Sequence, residues 1–408
     1  MYIFKAGVVG AGFMGAEIAQ VISYSGLPVV LKDIDQALLD TGVERIREIY
    51  QRRVDKGKMD MSTLMEKMDL IQTAVTYEPF TDVDIVIEAV PEKMELKKQV
   101  FRELEEVCPE GTIFASNTTA LSISEMGAAT RKPDKVIGMH FFSPAHVMKL
   151  VEVVPGLDTS EETANDVVMF SESLRKIPVV VQECPGFLVN RLLMAYLNET
   201  ALCLEEGAGT TRQIDEAMVK FGWPMGPFTL MDMIGVDICY ITGKYLSEEY
   251  GERIKAAKIF QKLYEAGRWG EKAGAGFYGY GAKTDEPVNE MVKQIQSEPG
   301  AVMGTEFTTH RLMMPMINEA VLCLQEHIAS AGDIDMAAIA GIGMKMGDER
   351  MGPLAMADRM GLDLVLEKLE QFERDLGPRF HPARLLRLQV RANHLGEKTG
   401  RGFLEHIG

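Results

Sequence analysis

The sequence predicts an α/β fold: a doubly wound sheet over residues 1–183, followed by two tandem all-α domains over 184–282 and 298–408. Three observations predict it. A glycine turn, Gly10-Ala-Gly12-Phe13-Met14-Gly15, follows an apolar run at Ala6–Val9. Short β-rich runs then alternate with helical periodicity as far as residue 181. Beyond Cys184-Pro185-Gly186 strand-like runs nearly vanish, and a block of helical sequence occurs twice.

The glycine turn carries the first functional signal. At this spacing the first glycine permits a tight strand-to-helix turn, the second lets the backbone approach a pyrophosphate, and the third lets the helix pack on the strand. The phosphates then sit at the helix N-terminus, where unpaired N–H groups and the dipole attract anions. A helix is expected over Ala16–Ser25 and a second strand over Pro28–Lys32, ending at Asp33. An acid at that distance past Gly15 stands where the adenosine ribose hydroxyls are taken, and its charge repels a 2′-phosphate. The expected cofactor is therefore NAD rather than NADP, with Gly10, Gly12, Phe13, Met14, Gly15 and Asp33 as cofactor-binding candidates in a Rossmann-like domain.

The remaining strands are expected at Asp84–Ala89, Thr112–Ala115, Val136–His140, Leu150–Val154 and Pro178–Val181, with a long helical excursion between Gln36 and Lys67. Helical periodicity then runs through Phe187–Glu206 and Ile214–Phe221. The stretch Arg191-Leu-Leu-Met-Ala-Tyr-Leu-Asn198-Glu recurs 120 positions later as Arg311-Leu-Met-Met-Pro-Met-Ile-Asn318-Glu. Met225-Gly-Pro and Gly270-Glu-Lys return as Met351-Gly-Pro and Gly396-Glu-Lys, both offset by 126. Three blocks in register predict a duplicated helical domain with a linker near 281–300.

Composition sets limits. A formal charge of −17 disfavours nonspecific nucleic-acid binding, which needs a positive field. No apolar run approaches the roughly 20 residues that span a bilayer, and Met1–Lys5 leads into the first strand without a cleavable signal pattern. The five cysteines lack a CxxC pair, which suits a reducing compartment and argues against structural zinc, so no metal is expected. These features predict a cytoplasmic protein. Its one dense basic segment runs from Arg45 through Arg53 to Lys58.

His140 ends an apolar strand run, and ligands of doubly wound sheets bind outside the strand ends. Alcohol oxidation by hydride transfer requires a base for the hydroxyl proton, and histidine suits neutral pH. Glu152, on the next strand, is placed to fix the imidazole tautomer and stabilise its protonated form. His146 competes as base on proximity but falls in a loop. Glu92 and Lys97 follow one strand end and are candidates for ribose contact; Asn117, Thr118 and Thr119 follow the next. Asn190, at the start of the first helical domain, is expected to project into an interdomain cleft.

These residues resemble the L-3-hydroxyacyl-CoA dehydrogenases, including the corresponding part of fatty-acid oxidation multienzymes. The resemblance spans essentially the whole chain through Gly10–Gly15, Val86-Ile-Glu-Ala-Val-Pro-Glu92, Ala115-Ser-Asn-Thr, His140-Phe-Phe, Lys149-Leu-Val-Glu152-Val, Pro185-Gly-Phe-Leu-Val-Asn-Arg191, Pro224-Met-Gly-Pro-Phe228 and Gly270-Glu-Lys-Ala-Gly. It implies NAD-dependent oxidation of a (3S)-3-hydroxyacyl-CoA, with His140 as base, Glu152 as its orienting acid and Asn190 as the substrate-positioning amide. Thr119 falls where the family usually has a serine that meets cofactor and substrate. Glu92, Lys97 and Lys272 match positions that touch NAD, Asn117 belongs to the same cofactor segment, and Arg53 falls near a family lysine that meets the CoA phosphates.

Two departures stand out. Thr119 adds a methyl beside the reacting centre, and Ser143 replaces a common asparagine. Single-copy members of the family pair through the helical domain, so the duplication implies an internal pseudo-dimer, either as a monomer or within a homodimer. His310 stands where the second copy should repeat Asn190, and Glu306 where it should repeat Gly186, so one active site per chain is expected. With no hydratase or thiolase segment in the sequence, those partners would be separate. Competing readings are a non-catalytic NAD-binding protein, against which His140 and Glu152 argue, and a 3-hydroxy-acid dehydrogenase, which typically uses a lysine.

Overall fold

The computed structural model describes residues 2–303 and 306–406; Met1, Gly304, Thr305, Ile407 and Gly408, which the expected domain bounds include, lie outside the described residues. The chain divides into two compact units between Phe187 and Leu188.

The first unit is built on one eight-stranded sheet of order β3-β2-β1-β4-β5-β6-β7-β8. Its strands are β1 (Ala6–Val9), β2 (Val29–Lys32), β3 (Ile71–Ala74), β4 (Ile85–Glu88), β5 (Ile113–Ser116), β6 (Val136–Phe141), β7 (Leu150–Pro155) and β8 (Ile177–Val180). Every residue of β1, β2, β4 and β5 is buried, as expected of parallel strands covered on both faces. The connecting helices are α1 (Phe13–Ser25), α2 (Gln36–Asp55), α3 (Met61–Asp69), α4 (Met94–Glu105), α5 (Ile123–Gly127) and α6 (Glu161–Ser173).

Two features depart from the sequence expectation. Strand β3 was not expected, because Ile-Gln-Thr-Ala at the sheet edge is half-exposed and carries no apolar run. Strand β7 runs antiparallel to β6, and β8 parallel to β7. A parallel return needs a crossover of a dozen or more residues, and the connection over 142–149 is too short for one. That reversal sets His140 directly opposite Glu152 in the register.

The second unit is helical: α7 (Val189–Glu205), α8 (Thr211–Phe221), α9 (Pro227–Ile234), α10 (Val236–Tyr250), α11 (Lys258–Glu265), α12 (Glu286–Gln296), α13 (Thr309–Gln325), α14 (Ala331–Ile342), a short hairpin of β9 (Lys345–Met346) and β10 (Glu349–Arg350), α15 (Pro353–Met360), α16 (Leu362–Leu376) and α17 (Arg384–Arg391). The stretch read as a linker thus contains a helix. Pro287 in the first turn of α12 starts it, since a proline costs no hydrogen bond there, and Val288, Val292 and Ile295 form its buried stripe. The hairpin occupies the place of the extra residues that change the offset from 120 to 126.

Contacts recur at those offsets. Asn198 receives an N–H from Ala257 and donates to the carbonyl of Lys255; Asn318 does the same with Ala383 and His381. Asp215 caps α9 through Phe228 N–H, and Asp335 caps α15 through Leu354 N–H. Arg191 on α7 meets Glu319 on α13, while Arg311 on α13 meets Glu199 on α7. Among the described residues no helix is long and apolar enough to cross a membrane.

Candidate active site

The turn from β1 into α1 is shaped by what its glycines leave out. Gly10 has φ +103°, and a Cβ there would lie 2.6 Å from the Ala89 carbonyl oxygen just past β4. A Cβ on Gly15 would lie 1.8 Å from the Gly10 carbonyl oxygen, so the helix could not approach the turn with any side chain at that position. Around Gly12, by contrast, a Cβ would meet nothing within 4 Å, which leaves backbone open to a ligand. Helix α1 starts without a side-chain cap, so its first N–H groups are available to an anion. Phe13 is exposed beside this turn under the Arg45 guanidinium, 4.3 Å from its ring centre, and Met14 packs on the core.

Asp33 closes β2 with both oxygens engaged, accepting from Ala11 N–H and Ile34 N–H at 2.6 Å each. Its carboxylate is thereby fixed beside the glycine turn, and each oxygen keeps a lone pair for a ribose hydroxyl. A dinucleotide pyrophosphate and an unphosphorylated ribose fit this cradle; the negative charge at Asp33 opposes a 2′-phosphate.

The ends of β4 and β5 are held by a buried charge cluster. Lys97 Nζ donates to Glu88 at 2.9 and 3.0 Å and pairs with Glu92 at 3.1 Å. Ser116 Oγ and Val90 N–H complete the Glu88 carboxylate at 2.6 and 2.7 Å. The Lys97 side chain is 1% exposed, so in this structure it reaches the candidate site only through Glu92. Glu92 also accepts from Thr118 Oγ1 (2.6 Å) and Thr119 N–H (2.9 Å). Burial acts to raise its pKa, but Lys97, Thr118 and Thr119 outweigh it and hold the carboxyl below its ordinary value. Thr119 itself is exposed, as is Ser143.

His140 and Glu152 face each other across β6 and β7, with Nδ1 to Oε2 at 2.7 Å. Both are buried, and the imidazole lies against the Phe142 ring at 4.5 Å and the Phe187 ring at 5.9 Å between centroids. An ionised carboxylate only accepts, so this contact puts the proton of a neutral ring on Nδ1 and leaves Nε2 basic. Asn117 Oδ1 accepts from Phe141 N–H at 2.8 Å and ties the end of β5 to the His140 strand. Gly10, Asp33, Glu92, Asn117, Thr119 and His140 thus fall at the carboxyl ends of the parallel strands β1, β2, β4, β5 and β6.

His146 is elsewhere. Its Nδ1 lies 3.2 Å from Glu17, whose Oε2 also accepts from Ala145 N–H at 2.6 Å. Glu17, 2% exposed on α1, holds this loop against the cofactor helix and was missed in the sequence, although an acid inside the apolar face of a helix is a signal.

Beside that loop opens a cavity of about 480 Å³ lined by Arg52, Arg53, Lys56, Lys58, Lys149, Arg175 and Lys176, with no carboxylate in its wall. Arg53 donates to Tyr24 Oη at 2.8 Å and stacks on that ring at 4.6 Å. Burial lowers the Lys176 pKa to about 8, and its ammonium donates to the carbonyls of Ala145 and Met148. Sequence reasoning found the α2 cations but not this opposite wall.

Asn190 and Lys272 belong to the second unit. Asn190 is half-buried in the first turn of α7, and Lys272 pairs with Asp237 at 2.7 Å.

Known proteins resemble this chain. Residues 5–184 match the family model described as 3-hydroxyacyl-CoA dehydrogenase, NAD binding domain, and residues 186–280 and 307–406 each match that of its C-terminal domain. The chain is 39% identical over 396 residues to the fatty acid oxidation complex subunit alpha of Shewanella baltica, covering 95% of this chain and 55% of that protein. It is 36% identical to the glyoxysomal fatty acid beta-oxidation multifunctional protein MFP-a of Brassica napus, covering 94% and 54%. The chain therefore spans about half the length of these curated relatives. Among solved structures, 3-hydroxybutyryl-CoA dehydrogenase of Escherichia coli superposes with a TM-score of 0.86 at 28% identity, covering 96% of this chain and 99% of that one. The (S)-3-hydroxybutyryl-CoA dehydrogenase of Ralstonia eutropha gives 0.67 at 37% identity, covering 69% and 100%. With matches spanning both units, the chain belongs to the 3-hydroxyacyl-CoA dehydrogenase family.

Proposed function

We propose that this chain interconverts a (3S)-3-hydroxyacyl-CoA and the corresponding 3-ketoacyl-CoA at one site per chain. The observation that carries the reading is the buried His140–Glu152 pair at the strand ends that also bear the glycine turn. NAD would be held by Gly10, Gly12, Phe13, Met14, Gly15, Asp33, Glu92 and Asn117, with Lys97 behind Glu92 and with Lys272, and would supply a hydride acceptor. His140 Nε2 takes the hydroxyl proton, and Glu152 stabilises the resulting imidazolium through Nδ1–H. In reduction the same nitrogen returns the proton. Thr119 and Asn190 position the substrate oxygen.

The cationic cavity around Arg53 offers the CoA phosphates a compensating charge that a chain of net charge −17 otherwise lacks. We also read the second unit as two copies of one helical domain paired head to head, the second without Asn190 and chemically silent. Such a chain needs no partner subunit for that surface, works in the cytoplasm, and takes the product of a hydratase as its substrate and yields the substrate of a thiolase. The test is NADH consumption with acetoacetyl-CoA, followed at the NADH absorbance band. Absence of turnover with acyl-CoAs from four to sixteen carbons would sink the proposal.

A further inference from the structure

The two helical sets differ in what covers them. In the first, the chain itself lies against α7 and α11: α12 buries Val288, Val292 and Ile295 there. At its end Gln296 Nε2 donates to the Glu205 carbonyl at 3.0 Å, and Glu298 pairs with Lys258. The matching angle beside α13 and α17 instead opens as a cavity of about 580 Å³ whose wall includes Leu322, Gln325, Ala383 and Arg384. Gln325 and Arg384 hold there the places of Glu205 and Lys258 at the offsets of 120 and 126. Arg384 has no carboxylate partner among the described residues, and Leu388, one turn further along α17, is 46% exposed where the first set has Lys262.

We infer that this groove docks an acidic amphipathic helix of a partner protein, seated as α12 is seated on the first set. The inference rests on reading the two sets as copies. Helix-in-groove recognition needs an apolar trough and a charge that fixes direction. Leu322 and Pro378 in the wall, with the exposed Leu388 one turn beyond it, supply the first, and Arg384 supplies the second, as Lys258 does for Glu298. The chain's own helix on the equivalent surface sets the expected ligand: apolar residues at i, i+4 and i+7, followed by a carboxylate.

A labelled peptide of residues 286–303 is the probe, titrated against the full chain by fluorescence anisotropy. Saturable binding is expected, weakened at least tenfold by Arg384→Glu combined with Leu388→Asp, and absent for a scrambled peptide of equal composition. Turnover of acetoacetyl-CoA should be unchanged in that variant, which separates failure of the groove from failure of the enzyme. No saturable binding, equal binding of the scrambled peptide, or undiminished binding to the variant would each overturn the inference. Leu388→Asp alone, at an exposed position, serves if the double variant does not fold.

Discussion

Arg191 and Arg311 exchange carboxylates: the first, on α7, is bound by Glu319 of α13 at 2.5 Å, and the second, on α13, by Glu199 of α7 at 2.7 Å. Glu326 and Glu206 repeat the reciprocity at 2.7 and 2.5 Å, and Arg253 and Arg379 close the two halves of the network. Pairing of i with j and j with i is the pattern that the proposed internal pseudo-dimer requires. Both arginines are buried, so their charges have given up water and depend on these partners. Breaking a buried ion pair by removing one member costs about 3–5 kcal/mol, because the other charge is left unpaired. Glu199→Ala leaves Arg311 to Glu206 alone, and Glu319→Ala leaves Arg191 to Glu326 alone, so each should destabilise the second unit by similar amounts towards the lower end of that range in urea unfolding. A loss below about 1 kcal/mol for either, typical of an exposed pair, would refute the network's role.

His140→Gln keeps the shape of the ring's neighbourhood but removes the base. Turnover with acetoacetyl-CoA should fall by about 10²- to 10⁴-fold, the usual share of general acid–base catalysis, while NAD affinity stays within about twofold. Glu152→Gln should fall less and shift the pH profile, since it removes the imidazolium's partner and not the base. Near-normal turnover in His140→Gln, measured beside NAD binding by calorimetry, contradicts the assignment.

Stability should depend on pH through Glu205. Burial is the main cause that raises its pKa to about 7, with Glu206 adding to it against the Ile259 N–H and Lys258. The folded chain thus keeps this proton when the unfolded chain has released it. Its contribution to stability is present below about pH 4.5 and is lost as pH rises towards 7. Gln325, the matching residue, accepts from Leu385 N–H as Glu205 does from Ile259 N–H and carries no charge. Glu205→Gln should consequently stabilise the protein at pH 8, by up to about 3 kcal/mol, and leave it nearly unchanged at pH 4.5. Equal effects at both pH values would show that the carboxyl is ionised throughout.

What the sequence discloses follows from how local each requirement is. Gly10 and Gly15 are legible because a tight turn and a close helix demand them, and Gly12 because the open backbone between them suits a phosphate, all within six positions. The pairing of His140 with Glu152 is legible because both lie in apolar strand runs, although only the antiparallel return of β7 sets them opposite. Strand β3 is hidden because its faces are half-exposed, and the helix α12 because its turn residues outweigh a short apolar stripe. Lys97 reads as a ligand in the sequence, yet its ammonium is buried among carboxylates contributed by β4 and the loop after it. The cationic cavity is the least legible, since Lys149, Arg175 and Lys176 join Arg53 only through the tertiary fold.

That cavity yields a prediction which separates charge recognition from catalysis. Arg53 stacks on Tyr24 and faces no carboxylate in the cavity wall, and in the proposed function a CoA phosphate completes it. A hydrogen bond to a charged group contributes roughly 1.5–3 kcal/mol, or about tenfold to a hundredfold in binding. Arg53→Ala should raise KM for acetoacetyl-CoA by about that factor and leave kcat near its original value, because C3 chemistry is not touched. The same variant should leave KM for acetoacetyl-pantetheine, which lacks the nucleotide phosphates, unchanged. Added salt should weaken CoA thioester binding less in the variant than in the parent, since one screened contact is already gone. Equal losses for both thioesters would place Arg53 in the folding of α2 rather than in substrate binding.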